Sequence, residues 1–224
     1  MKIDILTIFP EMFTGPFSVS MLKQAQEKKL VFIKVHDLRN WSSEKHRSVD
    51  APPYGGGPGM IMRVDIIDKA VQSLKKNRQS QVILLDTKGA IYNQQKAKKI
   101  SQEKHLILIA GHYEGIDHRV HKYIADKVIS IGQYVLTGGE IPAMVIVDSI
   151  VRLLPGVLGN PESLIEESYS SKNNQQLTTN VEYPQYTRPA VYKKWKVPKI
   201  LLSGNHKEIE NWRKKKSKNL PVNE

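Results

Sequence analysis

Short apolar runs and segments of helical period alternate along the first two thirds of the chain. KIDILTI (2–8) predicts a buried strand, ended by Phe9-Pro10. Residues 18–28 have helical spacing, and LVFIKVHDL (30–38) predicts a second strand. The pattern then lapses over RNWSSEKHRSVDAPPYGGGPGM (39–60), a long polar loop whose length is itself a functional signal. A helix follows at 65–77, a strand at QVILLD (81–86), a turn at TKGA and a helix at 94–103. HLILIA (105–110) and DKVISIG (126–132) predict strands around a short helix at 117–125. EIPAMVIVDSIVRLLPG (140–156) predicts a helix with Pro142 in its first turn, where a missing N–H is harmless.

Strand and helix thus alternate through residue 155, the pattern of an α/β fold with a mostly parallel sheet covered on both faces. After Gly156 the chain turns polar. The expected organisation is a domain over 1–158, a linker over 159–180 and a small basic, mainly helical domain over 181–224. No apolar run approaches the roughly 18 residues of a membrane span. The N-terminal run lacks a cleavage site, so it reads as a strand and not a signal peptide.

Charge narrows the partner. The chain carries 34 Lys and Arg against 22 Asp and Glu, a formal charge of +12. Such an excess suits a polyanion, although a lysine-rich proteome would give the same balance. Placement favours the former: ten of those cations fall between Lys193 and Lys218, with only Glu208 and Glu210 against them. The absence of cysteine excludes disulfides and thiolate metal sites and fits a reducing, cytoplasmic compartment.

Three glycine-containing runs carry the candidate chemistry: DTKGA (86–90), GHYEGID (111–117) and SIGQYVLTGGE (130–140). Each lies at or just past the carboxyl end of an expected strand, the edge where open α/β sheets bind ligands. Any one could simply turn a corner. Together, with Glu114, Asp117, Glu140 and Asp148 nearby, they suggest a backbone-lined nucleoside site in which carboxylates face a cationic ligand. No GxGxxG follows the first strand, and GGGPGM lacks the GK[ST] of a triphosphate loop.

PYGGGPGM (53–60), GHYEGIDHRV (111–120), SIGQYVLTGGEIPAMVIVDSIVRLLPGVLGN (130–160), EYPQYTRP (182–189) and VPKILLSGNHKEIENWR (197–213) together resemble the bacterial tRNA (guanine-N1)-methyltransferase family. The resemblance spans nearly the whole chain. It implies a deep trefoil-knotted (SPOUT-like) methyltransferase domain, a homodimer with a composite active site, and S-adenosylmethionine as methyl donor. The implied reaction methylates N1 of guanine 37 in tRNA, just 3′ of the anticodon, where guanine also stands at position 36. The donor would be held by Leu85, Asp86, Thr87 and Gly89 in the first corner, and by Gly111, Tyr113, Glu114 and Gly115 in the second. The third corner would supply Ser130, Ile131, Gly132, Tyr134, Val135, Leu136, Gly138, Gly139 and Pro142.

Guanine N1 carries a proton, so methylation needs a base and a cation for the charge that moves to O6. The resemblance assigns the cation to Arg152. It assigns the base to Glu167 in EESYS (166–170), where relatives usually have aspartate, with Glu166 adjacent. Arg47, Asp50, Tyr54, Gly55, Gly57, Pro58 and Gly59 would meet the target base and its 5′ neighbour. Arg188, Ser203, Asn205, His206 and Trp212 would grip the tRNA, with Tyr186 beside them. His112 stands where the family commonly has arginine, and the chain ends soon after WRKKKSK, where many relatives continue. The family also raises Mg2+, for which no ligand cluster offers a site. Two rivals stand: a knotted methyltransferase for another RNA, and a catalytically inactive tRNA-binding relative.

Overall fold

The computed structural model describes residues 1–75, 79–159, 168–169 and 180–219. The chain forms two compact units, Met1–Gly159 and Asn160–Glu224. In the first unit the elements are β1 (Lys2–Thr7), α1 (Thr14–Phe17), α2 (Ser20–Glu27), β2 (Phe32–Asp37), β3 (Asp50–Ala51) and β4 (Ile61–Met62). They continue as α3 (Val64–Leu74), β5 (Ser80–Ile91), α4 (Gln94–Ile100), β6 (His105–Ala110), α5 (His118–Tyr123), β7 (Lys127–Ser130) and α6 (Glu140–Val151).

Five strands make one parallel sheet in the order β2-β1-β6-β5-β7. Successive strand residues point to opposite faces, and both faces are apolar. Ile3, Ile5, Ile83, Leu106 and Leu108 face one layer with Phe13, Ala97 and Ile146. Leu6, Val82, Leu84, Ile107 and Ile109 face the other with Ile66, Ile67 and Val120. Helices α2, α4 and α6 cover the first face and α3 and α5 the second, as the near-continuous apolar strands require.

Strand β5 runs further than its apolar content suggests. Residues 87–90, expected as a turn, continue the strand, and Ala90 and Ile91 pair with Ile129 and Ser130 after a register shift at Leu85. Gly89 permits this. A Cβ there would lie 2.5 Å from backbone atoms of Ile129, so only glycine lets the two strands approach.

The second unit has short strand pairs, β8 (Asn180–Val181) with β11 (Lys218–Asn219) and β9 (Val191–Tyr192) with β10 (Trp195–Lys196). Its described helical residues are a 3-10 turn at Lys199–Leu202 and α7 (His206–Lys216). The Arg213 guanidinium lies 4.8 Å from the ring centre of Tyr183. Among the described residues, the buried apolar core lies entirely at or before Val157.

One charge is buried in mid-sheet. Asp4, fully inaccessible, meets His36 Nε2 and His105 Nε2 at 2.7 Å each and the Lys2 ammonium at 2.5 Å. His105 Nδ1 in turn meets Ser80 Oγ at 2.7 Å. Burial alone would raise the carboxyl's pKa; the hydrogen bonds from His36, Lys2 and His105 outweigh it and hold it well below the ordinary 3.8. A depressed folded-state pKa stabilises above the unfolded value and is lost as pH falls below about 3.8. Asp4→Asn should therefore lower stability at neutral pH by about 3 kcal/mol or more, since it strands buried partners. Urea titrations across pH 2.5 to 7, roughly the range of carboxylate titration, should show a flatter acid limb in the variant.

Candidate active site

Where the strands of the first unit end, three loops converge on one cavity of about 260 Å3. The loop after β6 begins at Gly111, whose carbonyl accepts from Gly139 N–H at 2.6 Å. A Cβ on Gly139 would stand 2.7 Å from Ala110 Cα and Gly111 N, and one on Gly138 would stand 2.4 Å from His112 Nδ1. The double glycine thus lets the segment after β7 lie against the end of β6, with backbone lining the wall. Pro142 follows in the first turn of α6 and joins that wall.

The wall holds every residue expected to contact the donor except Gly89, which the structure does not bring to the cavity. Gly89 serves the β5–β7 approach instead. Lys88, His112 and Thr137 line the cavity and were not among the expected residues. Each sits inside a run already marked by its glycines, so reading whole loops in place of motif positions would have found them. Ile61, from the far side of the polar loop, also lines it.

Of the four carboxylates expected near a cationic ligand, only Glu140 is buried, at 1% exposure. Glu140 Oε1 accepts from Thr7 Oγ1 at 2.7 Å, and Oε2 lies 3.5 Å from His112 Nδ1. Its place at the start of α6 puts negative charge where the helix dipole favours it. His112 Nδ1 is buried with no hydrogen bond, and the ring packs edge-on against Phe9 at 4.8 Å. Asp117 caps α5 and pairs with Arg119, whose hydrogen bond is the largest influence holding its carboxyl below the ordinary range. Glu114 and Asp148 are exposed. Asp86 lies beside the cavity, accepting from Lys88 N–H at 2.8 Å and meeting His121 Nε2 at 3.0 Å.

The polar loop is tied to this cavity. Glu114 N–H donates to Met60 O, Met62 N–H to Gly115 O and Asp117 N–H to Met62 O. Gly59, at φ +78°, lies so close to the Glu114 side chain that a Cβ would overlap it. Tyr113 also adopts a left-handed backbone. Partial burial pushes its phenol pKa up, and the charge of Asp50 adds to that. Arg47, Tyr54, Gly55, Gly57 and Pro58 are exposed on the same loop.

Arg152 caps the other end of α6 and is not on the cavity wall. Twelve helical residues separate it from Gly139, about 18 Å of rise. Glu167 and Glu166 lie outside the described residues. In the second unit Asn205 caps α7 through Glu208 N–H at 3.3 Å, and Ser203 Oγ donates to Ile200 O at 2.8 Å. Both side chains therefore serve the turn that starts α7. Arg188, which precedes a cis peptide to Pro189, and His206 are exposed, and Trp212 is half-buried beside Tyr186 at 6.4 Å. Among the described residues no cluster suits a metal ion, and no helix is long and apolar enough to cross a membrane.

Residues 1–222 match the sequence model of the family described as tRNA (Guanine-1)-methyltransferase TrmD. The chain belongs to that family. A Dictyoglomus turgidum protein named tRNA (guanine-N(1)-)-methyltransferase is 58% identical over 217 residues, covering 97% of this chain and 85% of that protein. Proteins of the same name from Carboxydothermus hydrogenoformans and Brevibacillus brevis are 53% and 50% identical, covering 97% of this chain and 83% and 86% of themselves. The α/β fold with its mostly parallel central sheet is that of a family member.

The Gly139 contact gives a direct test of the corner. Gly139→Ala should cost about 1–3 kcal/mol through overpacking against backbone. Gly15→Ala, where a Cβ meets nothing within 4 Å, should be close to neutral. Urea unfolding of the two variants compares them.

Proposed function

We propose that the chain transfers the methyl group of S-adenosylmethionine to N1 of guanine 37 of tRNA, in tRNAs with guanine at position 36. One observation carries this reading: in a member of this family, three strand-end loops converge on a single backbone-lined cavity. The residues fit the donor in kind. Gly111, Gly132 and Gly138 let the chain pack directly against Ile116, Tyr134 and the His112–Glu140 pair, where a Cβ would overlap them; the wall mixes apolar side chains with glycine backbone, and His112 Nδ1 lacks a hydrogen-bond partner. When bound, S-adenosylmethionine supplies an electrophilic methyl on a positively charged sulfur.

The chain's own groups supply the rest. Glu167 takes the N1 proton of guanine, and Arg152 holds the negative charge that moves to O6. The polar loop, tied by its backbone to the Glu114 corner, presents Asp50 and Arg47 to the target base. That base must leave its stack to be reached. The basic second unit binds the RNA backbone.

A homodimer reconciles Arg152 with the cavity. Helix α6 leaves Ile141 and Val145 exposed, and Asp148 and Arg152 follow on the same helical stripe. An exposed apolar stripe on a core helix suits a second copy, and Arg152 then serves the partner's cavity. The trefoil threading rests on membership of the family. At the sheet edge Gly89 lies against Ile129, and Tyr92 N–H donates to Ser130 O at 2.7 Å just before the chain enters α4.

Labelled methyl transfer to unmodified tRNA transcripts tests the reading. Product at N1 of guanine 37, lost when guanine 36 is replaced, is the expected outcome; binding without transfer identifies an inactive relative. Glu167→Ala should abolish transfer while leaving donor binding intact. Arg152→Ala should lower the single-turnover rate far more than tRNA affinity, and an equal loss in both would assign Arg152 to docking.

A further inference from the structure

The hairpin formed by β9 and β10 exposes a large aromatic pair that no core accounts for. Tyr192 and Trp195 stand directly opposite across its two strands, and each is mostly open to solvent, at 54% and 68%. Their ring centres are 5.8 Å apart and their planes meet at 47°, so the rings do not close on one another as a stack. A hairpin this short has little stability of its own, and two exposed aromatic rings add no buried core to it.

Cations surround the pair. Lys193 occupies the turn at φ +55°, a backbone region that favours glycine. From there its ammonium lies 5.5 Å from the Tyr192 ring centre and 6.0 Å from that of Trp195. Lys194, Lys196 and Lys199 follow within a few residues, and Arg188 precedes. Between Glu182 and Glu208 the sequence contains no acidic residue. An aromatic platform with cations at its rim and no nearby carboxylates matches unpaired nucleotides, whose bases stack on rings while their phosphates meet ammonium groups. A duplex offers the phosphates without the open base faces.

We propose that Tyr192 and Trp195 form a stacking platform for an unpaired base of the bound RNA, with Lys193, Lys194 and Lys196 on the flanking phosphates. This deepens the tRNA reading above and rests on it. It assigns to the hairpin the recognition of single-stranded loop character, separate from the residues that hold the methyl donor.

The test uses the full chain and two RNA probes: a stem-loop with an unpaired loop, and a blunt duplex of equal length. Trp195→Ala should weaken stem-loop binding roughly tenfold and leave duplex binding unchanged. Trp195→Phe should retain most of the affinity. The log–log salt slope should be unchanged in Trp195→Ala and shallower by about one in Lys194→Ala. Unchanged stem-loop binding in Trp195→Ala overturns the proposal. So does an equal loss on both probes, or a changed oligomeric state with unaltered RNA affinity. Circular dichroism of each variant separates loss of contact from loss of fold. If the unmutated chain transfers no methyl group to tRNA, the function reading fails, while the two-probe comparison still decides the role of the hairpin.

Discussion

Gly139 N–H donates to Gly111 O at 2.6 Å, and there is no room for a side-chain carbon on the donor residue. This contact joins the end of β6 to the start of α6 although β5 and its long extension lie between β6 and β7 in the sheet. It sets the direction in which α6 starts. Most residues of 130–139 line the cavity, and Glu140, next in the chain, is bonded to Thr7 on β1. A wall of this kind depends on backbone position more than on side-chain identity. Glycine is demanded at the corner by sterics, and the remaining loop residues follow from where the corner places them.

The polar loop is held by the same logic at one remove. Three backbone hydrogen bonds tie residues 60–62 to the 114–117 corner. Movement at either loop therefore reaches the other without a side chain as intermediary. The cavity wall and the exposed polar loop share one set of backbone hydrogen bonds. Tyr113, left-handed in backbone and within reach of the Asp50 charge, sits at the seam between them.

Much of the first unit was legible because its strands are apolar on both faces and its helices are separated by turn residues. The strand at 105–110 and the helix start at Glu140 follow directly from those signals. The extension of β5 through 87–91 was not legible. Thr87, Lys88 and Gly89 break the apolar run, and pairing with β7 resumes at Ala90 and Ile91. The three corners were visible as sequence, and the wall they form contains nearly all the residues the motifs nominated. Asp4 carried no local signal at all. A lone aspartate in an apolar strand reads as an interruption until His36 and His105, remote in sequence, are seen beside it.

Arg152 shows where one copy of the chain reaches its limit. The proposed reaction uses it, yet the helix that carries it starts at the cavity and ends about 18 Å away. A rigid helix cannot bring its two ends to one point, so the same chain cannot offer Arg152 to its own cavity while α6 remains intact. Either the arginine works elsewhere or a second copy receives it. The exposed Ile141 and Val145 weigh towards the second copy, because burying them gives α6 an apolar partner and sets Arg152 at the edge of that contact. Mixing an Arg152→Ala chain with one carrying a blocked cavity, such as Gly139→Val, separates the two cases. Recovery of transfer in the mixture, with neither variant active alone, requires the site to be shared, and persistent inactivity would assign Arg152 a role away from the cavity.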